Sequence, residues 1–192
     1  MKVFDSSLCF SSHLTFVPFV VEQLGIKDMA EIGVLHAALS IAVLSKCSKI
    51  RSYYLIDPWR PFMEPPAYSK KVWNKRYEAV KAEMKQYGDR AHILRLTSLE
   101  AAEQFELESL DLVYLDANHS FKYVDKDIRA WWPKVRSTGY LAGHDLTAMP
   151  NKRTWPGVRK AVEANFGKQY HSGECNWDGV WIISKKEARV SV

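Results

Sequence analysis

The apolar positions of this chain fall into short alternating blocks, and the length of each block distinguishes strand from helix. MAEIGV (Met29 to Val34), YYLID, HILRL, LDLVYLD and GYLAGHD are brief runs closed by polar or turn residues, which predicts buried strands. Between them, apolar residues recur at helical spacing. One helix is expected over 14–24, with Phe16, Phe19, Val20 and Leu24 on one face and Gly25 as its stop, and Pro18 fits only an early turn. Others follow in LHAALSIAVLSKC, in VWNKRYEAVKAEMKQYG with Val72, Tyr77, Val80 and Met84 inward, and in LEAAEQF behind a Thr97–Ser98 cap. SFKYVDKDIRAWWPKV carries a stripe of Phe121, Val124, Ile128, Trp131 and Trp132, and a further helix opens near Pro156. KQYHSG and GVWIIS are expected to close the chain as two strands joined by an ECNWDG hairpin.

Strand and helix in alternation predict an α/β three-layer sandwich with a Rossmann-like, mostly parallel seven-stranded sheet and a C-terminal antiparallel hairpin strand. A single domain is expected over 1–192, made of an N-terminal helical cap over 1–26 and an α/β core over 27–192. Parallel strands joined by crossover helices end at one edge of the sheet, and ligands of open α/β sheets bind there. Asp116, at the tip of one strand, and His144 and Asp145, at the tip of the next, should therefore meet His119 in one cleft.

Composition narrows the functional classes. The chain is 47% hydrophobic and 26% charged, as expected of a globular protein, and no apolar run approaches the roughly 20 residues of a membrane span. Asp5 and Glu22 interrupt the apolar start, so no signal peptide is expected. Cys9, Cys47 and Cys175 are odd in number and widely spaced, which is the pattern of reduced thiols in a cytoplasmic protein. The net charge of +5 invites a nucleic-acid reading, but the basic residues are dispersed among acids and aromatics on exposed helices.

AEIGV, YYLIDPW, LTSLEAAEQF and the pair LDLVYLDANHSFKYVDKDIRAWWP and GYLAGHD together resemble class I S-adenosylmethionine-dependent methyltransferases. Among these, the chain is most similar to the small metal-dependent O-methyltransferases of macrolide-sugar and catechol type, over about 30–184. The resemblance implies S-adenosylmethionine as cofactor. Glu31 would accept from its ammonium, and Gly33 and Ala37 would form the turn beneath it. Asp57 would hold the ribose hydroxyls, Trp59 would wall the adenine, and Asp116 would border the cofactor. Ser98 is either a contact to the adenine edge or a helix cap. Where relatives usually have one or two further glycines, this chain has Ala37 and Ala38.

The resemblance further implies a divalent metal, magnesium or another ion, held by Asp116, His144 and Asp145, with His144 either a ligand or the residue that orients Asp145. His119 stands at the position of the general base, and an imidazole of pKa near ~6.5 suits that task at neutral pH. Asn118 and Phe121 stand where relatives often have an acid and a tyrosine. His13, His36, His92 and His171 are read as surface or packing residues. The expected activity is methyl transfer to a hydroxyl of a small-molecule acceptor. Alternatives are a nucleic-acid methyltransferase, although DANHS replaces the Asn/Asp-Pro-Pro-aromatic loop of base methylation, and a non-catalytic S-adenosylmethionine-binding protein. A nicotinamide-binding oxidoreductase ranks low, since EIGVLHAAL has one glycine where that motif needs three. Neither nucleic acid nor membrane is an expected partner, and a homo-oligomer is left open.

Overall fold

The computed structural model describes residues 10–61, 68–146, 155–172 and 179–188. Five strands, β1 (Asp28–Ile32), β2 (Ser52–Ile56), β3 (Ala91–Leu94), β4 (Leu110–Leu115) and β5 (Val135–Gly143), pair in parallel in the order β3-β2-β1-β4-β5. β7 (Trp181–Ser184) adds to β5 antiparallel, and the two-residue β6 (His171–Ser172) closes that edge. The expected seven-stranded, mostly parallel sheet is present. The expected ECNWDG hairpin falls largely outside the described residues.

Alternation along each strand divides the core into two. Met29, Tyr53, Leu55, Leu112 and Tyr114 face α1 (His13–Leu24), α2 (Ala38–Lys46) and α3 (Lys70–Met84). Ala30, Ile56, Val113 and Leu115 face α4 (Ser98–Ala102), α5 (Phe121–Trp131) and α6 (Pro156–Phe166). Helices cover both faces, so the strands are apolar on both sides, as parallel sheets require.

Several boundaries differ from the pattern. α1 begins at His13 because the Ser12 hydroxyl accepts from Leu14 N–H, which places Pro18 in the second turn, buried. α2 begins at Ala38 rather than Leu35, because a turn over 33–37 comes first. β5 starts at Val135, ahead of the Ser137–Gly139 turn expected to open it, with a register shift opposite Leu110–Leu112. Val72 is 37% exposed and its neighbour Trp73 is buried instead, and Phe121 is 46% exposed because it sits at the first position of α5, beyond the sheet. The Thr97 hydroxyl and the Glu100 carboxylate form a reciprocal capping box at α4.

β1 and β4 are adjacent, and the chain winds away from them in opposite directions. Their carboxyl tips therefore form the switch point at which α/β sheets hold ligands.

Candidate active site at the carboxyl edge of the sheet

Gly33 ends β1 at φ 93, and a Cβ there would lie 2.2 Å from the Asp116 carbonyl oxygen. Only glycine lets the β1 and β4 tips approach so closely, because a side chain at 33 would meet the Asp116 and Ala117 backbone. Asp116 N–H donates to Ile32 O at 2.8 Å and Gly33 N–H to Ile56 O at 2.9 Å, so the tips of β1, β2 and β4 are bonded in one row. Beyond Gly33 the turn continues through Leu35 at φ 52 and Ala37 at φ 61. Both are left-handed conformations that a side chain disfavours by about 1–2 kcal/mol each. Ala37, where the resemblance leads one to expect glycine, adopts a glycine's backbone.

Asp57 stabilises this turn. Its Oδ2 accepts from Val34 N–H at 3.1 Å and Leu35 N–H at 3.0 Å, and Oδ1 accepts from Trp59 N–H at 2.7 Å. Trp59 in turn donates its indole N–H to Leu35 O at 3.1 Å, packs on Tyr77, and is fully buried. Trp59 is therefore enclosed rather than a wall beside the adenine, and both carboxylate oxygens of Asp57 accept from the protein because the strained turn needs a local acceptor. Glu31 is also enclosed. Its Oε2 accepts from Ser40 Oγ at 2.5 Å and from Tyr53 OH at 2.7 Å, beneath α2. Burial pushes its pKa up to about 8 despite those two donors. The Ser98 hydroxyl, read from sequence as either an adenine contact or a helix cap, accepts from the Trp131 indole N–H at 2.9 Å, and the cap of α4 is Thr97. Ser98 also bonds the buried Asp127 of α5, whose pKa burial raises to about 6. Four of the side chains expected on the cofactor thus have protein partners.

The second constellation comes together as its spacing implied. His119 Nε2 lies 2.8 Å from Asp145 Oδ2 and 3.3 Å from Asp116 Oδ1. His144 Nδ1 lies 3.4 Å from Asp145 Oδ2 and 4.0 Å from Asp116 Oδ2. One ligand atom from each of Asp116, His144 and Asp145 falls within 4.8 Å of the others, a span that a single cation bridges. Asp145 reaches the group from φ 59, a conformation aspartate tolerates better than most residues.

His119 departs from its ordinary value. Burial alone would lower its pKa, but hydrogen bonds and charge from Asp116 and Asp145 outweigh it and raise the value to about 9. The same contacts, with those of His144, hold the Asp145 carboxyl well below the usual range against its own burial. His119 is therefore an imidazolium at neutral pH in this arrangement, not the neutral base read from sequence.

Two neighbours were not legible as site residues. The His13 ring of α1 packs on His144 with centroids 4.4 Å apart, and the Trp155 ring stacks on His119 at 4.8 Å. Behind them a cavity of about 10 Å³, the size of one water, is lined by Asn118, His119, Asp127, His144 and Trp181 among others.

Comparison with known proteins now bears on this geometry. A family described as Methyltransferase domain matches residues 30–146, which takes in every residue of both constellations from Glu31 to Asp145. The chain belongs to that family. Uncharacterized protein y4gI of Sinorhizobium fredii is 25% identical to this methyltransferase domain over 148 residues, 74% of the chain but 16% of the relative. The domain thus spans about one-sixth of that relative's length.

The fold recurs in solved structures. The O-methyltransferase of Bacillus cereus in complex with SAH gives a TM-score of 0.61 at 16% identity, over 89% of this chain and 80% of that one. The SAH-bound Podospora anserina methyltransferase PaMTH1 gives 0.63 at 16%, over 93% and 78%. The spermidine synthase of Thermotoga maritima gives 0.57 at 12%, over 88% and 59%. A synthase among the neighbours shows that the fold alone does not define the reaction. Among the described residues no helix is long and apolar enough to cross a membrane.

Proposed function

We propose that this methyltransferase domain moves the methyl group of S-adenosylmethionine to a hydroxyl of a small molecule, assisted by a divalent metal at Asp116, His144 and Asp145. The observation that carries this reading is the meeting of Asp116, His119, His144 and Asp145 beside the glycine-only approach of β1 to β4 at Gly33. S-adenosylmethionine supplies the reactive methyl on a good leaving group, and a metal would supply positive charge that eases ionisation of the acceptor hydroxyl. The chain's own residues orient and exchange protons. Gly33 and the Asp116 backbone seat the cofactor, and Asp57 is the group for its ribose hydroxyls once the turn over 33–37 yields its N–H bonds. His119 would act as the base in its neutral form: the imidazolium first releases its proton to solvent, as the charge of a metal at Asp116 and Asp145 would favour, and Nε2 then takes the proton of the acceptor hydroxyl. By the resemblance, the acceptor pocket is built mainly from the N-terminal helix and the loops over 60–68 and 146–155, and those two loops lie largely outside the described residues.

A second reading is a fold-retaining protein that performs no transfer. It is favoured by the partners that Glu31, Asp57, Trp59 and Ser98 already have. Transfer of labelled methyl from S-adenosylmethionine to a panel of hydroxylated small molecules separates the two. His119→Ala should abolish transfer while sparing cofactor affinity. A fully active His119→Ala protein rules out the base, and no transfer by wild type that nonetheless binds cofactor favours the second reading.

A further inference from the structure

Building on the metal-assisted reading, we propose that the ion held by Asp116, His144 and Asp145 is a divalent transition-metal ion of the imidazole-binding class, not magnesium, and that His13 positions the His144 ring for it.

The donor set is the first reason. Magnesium requires a near-ideal shell of oxygens and keeps several waters, whereas an imidazole nitrogen suits zinc, iron, nickel and copper, for which cobalt(II) serves as a spectroscopic probe. Among the described residues the group offers two carboxylates and one imidazole. If His144 were free to turn aside, the two carboxylates and water could still serve magnesium.

The second reason is that His144 is fixed. Its backbone N–H donates to Leu115 O at 3.1 Å, which ties the residue to the tip of β4. Its Nδ1 faces both carboxylates, at 3.4 Å from Asp145 Oδ2 and 4.0 Å from Asp116 Oδ2. The side chain is only 15% exposed. On its outer side the His13 ring covers it, 4.4 Å between centroids and 52° between planes.

His13 is itself rigidly held. It opens α1, whose N-terminus is capped by Ser12 and whose Phe16, Val17, Val20 and Val21 are buried in the core. A ring on a fixed helix, packed on a ligand ring, limits the orientations of that ligand as hydrogen-bonded outer partners do in other metal sites. The N-terminal helix therefore contributes to the chemistry of a site more than 100 residues away in sequence.

The test uses the full chain stripped of metal with a chelator, then titrated with cobalt(II) and, separately, magnesium(II). Cobalt binding is read from its visible absorption and both ions by calorimetry. Cobalt should bind more tightly than magnesium by roughly a factor of ten or more. His144→Asn, which replaces nitrogen by an amide oxygen, should shift the cobalt spectrum and reverse the preference. His13→Ala should weaken cobalt binding by about 10–100-fold, and His13→Phe, which keeps a ring, should restore it. In the wild-type protein, a paramagnetically shifted imidazole N–H should appear on adding cobalt, a reading that does not depend on the variants folding. Equal affinities for the two ions and no shifted imidazole signal would overturn the proposal while leaving metal assistance intact. Binding of neither ion would overturn the metal-assisted reading and the proposal with it.

Discussion

Glu31 makes the folded chain sensitive to alkali in a way that can be calculated. Its carboxyl is 3% exposed and accepts from Ser40 and Tyr53 beneath α2. Burial raises its pKa from 4.5 to about 8. Between those values the folded chain keeps a proton that the unfolded chain has released. The stabilisation is therefore fully present below pH 4.5 and is lost as pH rises to about 8. At about 1.4 kcal/mol per pH unit, the loss between pH 6 and pH 8 is roughly 3 kcal/mol. This is an upper limit, because the surroundings relax and admit water as the carboxyl ionises. Glu31→Gln keeps the shape and an acceptor oxygen but has no proton to lose. Urea unfolding of both proteins at pH 6 and pH 9 isolates the effect, because all other titrations are common to the two. The difference in stability should move in favour of the variant by roughly 3 kcal/mol on going to pH 9. Curves that stay parallel within about 0.5 kcal/mol would refute a buried, protonated Glu31.

Two other perturbations test the site's geometry. Gly33→Ala places a Cβ against the Asp116 carbonyl and forces a side chain into φ 93. It should cost roughly 3 kcal/mol or more and lower Tm by about 6–12 °C, and a loss under about 1 kcal/mol would show that the β1 and β4 tips do not touch. In the metal-stripped protein, His119 should titrate by NMR near pH 9. Asp145→Asn should bring it down toward its ordinary value, and an unshifted wild-type histidine would contradict the ion pairs with Asp116 and Asp145.

The strands, their parallel order and the meeting of Asp116, His119, His144 and Asp145 were legible because they follow from short-range pattern. A buried run closed by an acid marks a strand tip, and a crossover helix fixes which tips share an edge. What depended on tertiary contact was not legible. The His13 and His144 ring centroids lie 4.4 Å apart only because α1 packs over α2 and begins at the carboxyl edge. The inward places given to Val72 and Phe121 failed by local phase: each is near a helix start, where a shift of one residue moves a side chain off the core face. The side chains expected to touch the cofactor were placed at the right edge, but sequence does not reveal competing partners. Asp57 is drawn to the N–H groups of a strained turn, and Ser98 to an indole that α5 brings across α4. The raised pKa of His119 has the same origin, two carboxylates converging on one ring.

The switch point where Gly33 meets Asp116, with Asp57 beside it, is the proposed seat of S-adenosylmethionine. Calorimetric titration of the purified chain with S-adenosylmethionine tests it most directly. One equivalent should bind with saturable heat, and Asp57→Ala should weaken it at least about tenfold while the protein remains folded. Absence of heat at millimolar ligand, or unchanged affinity in the folded Asp57→Ala variant, would contradict the account.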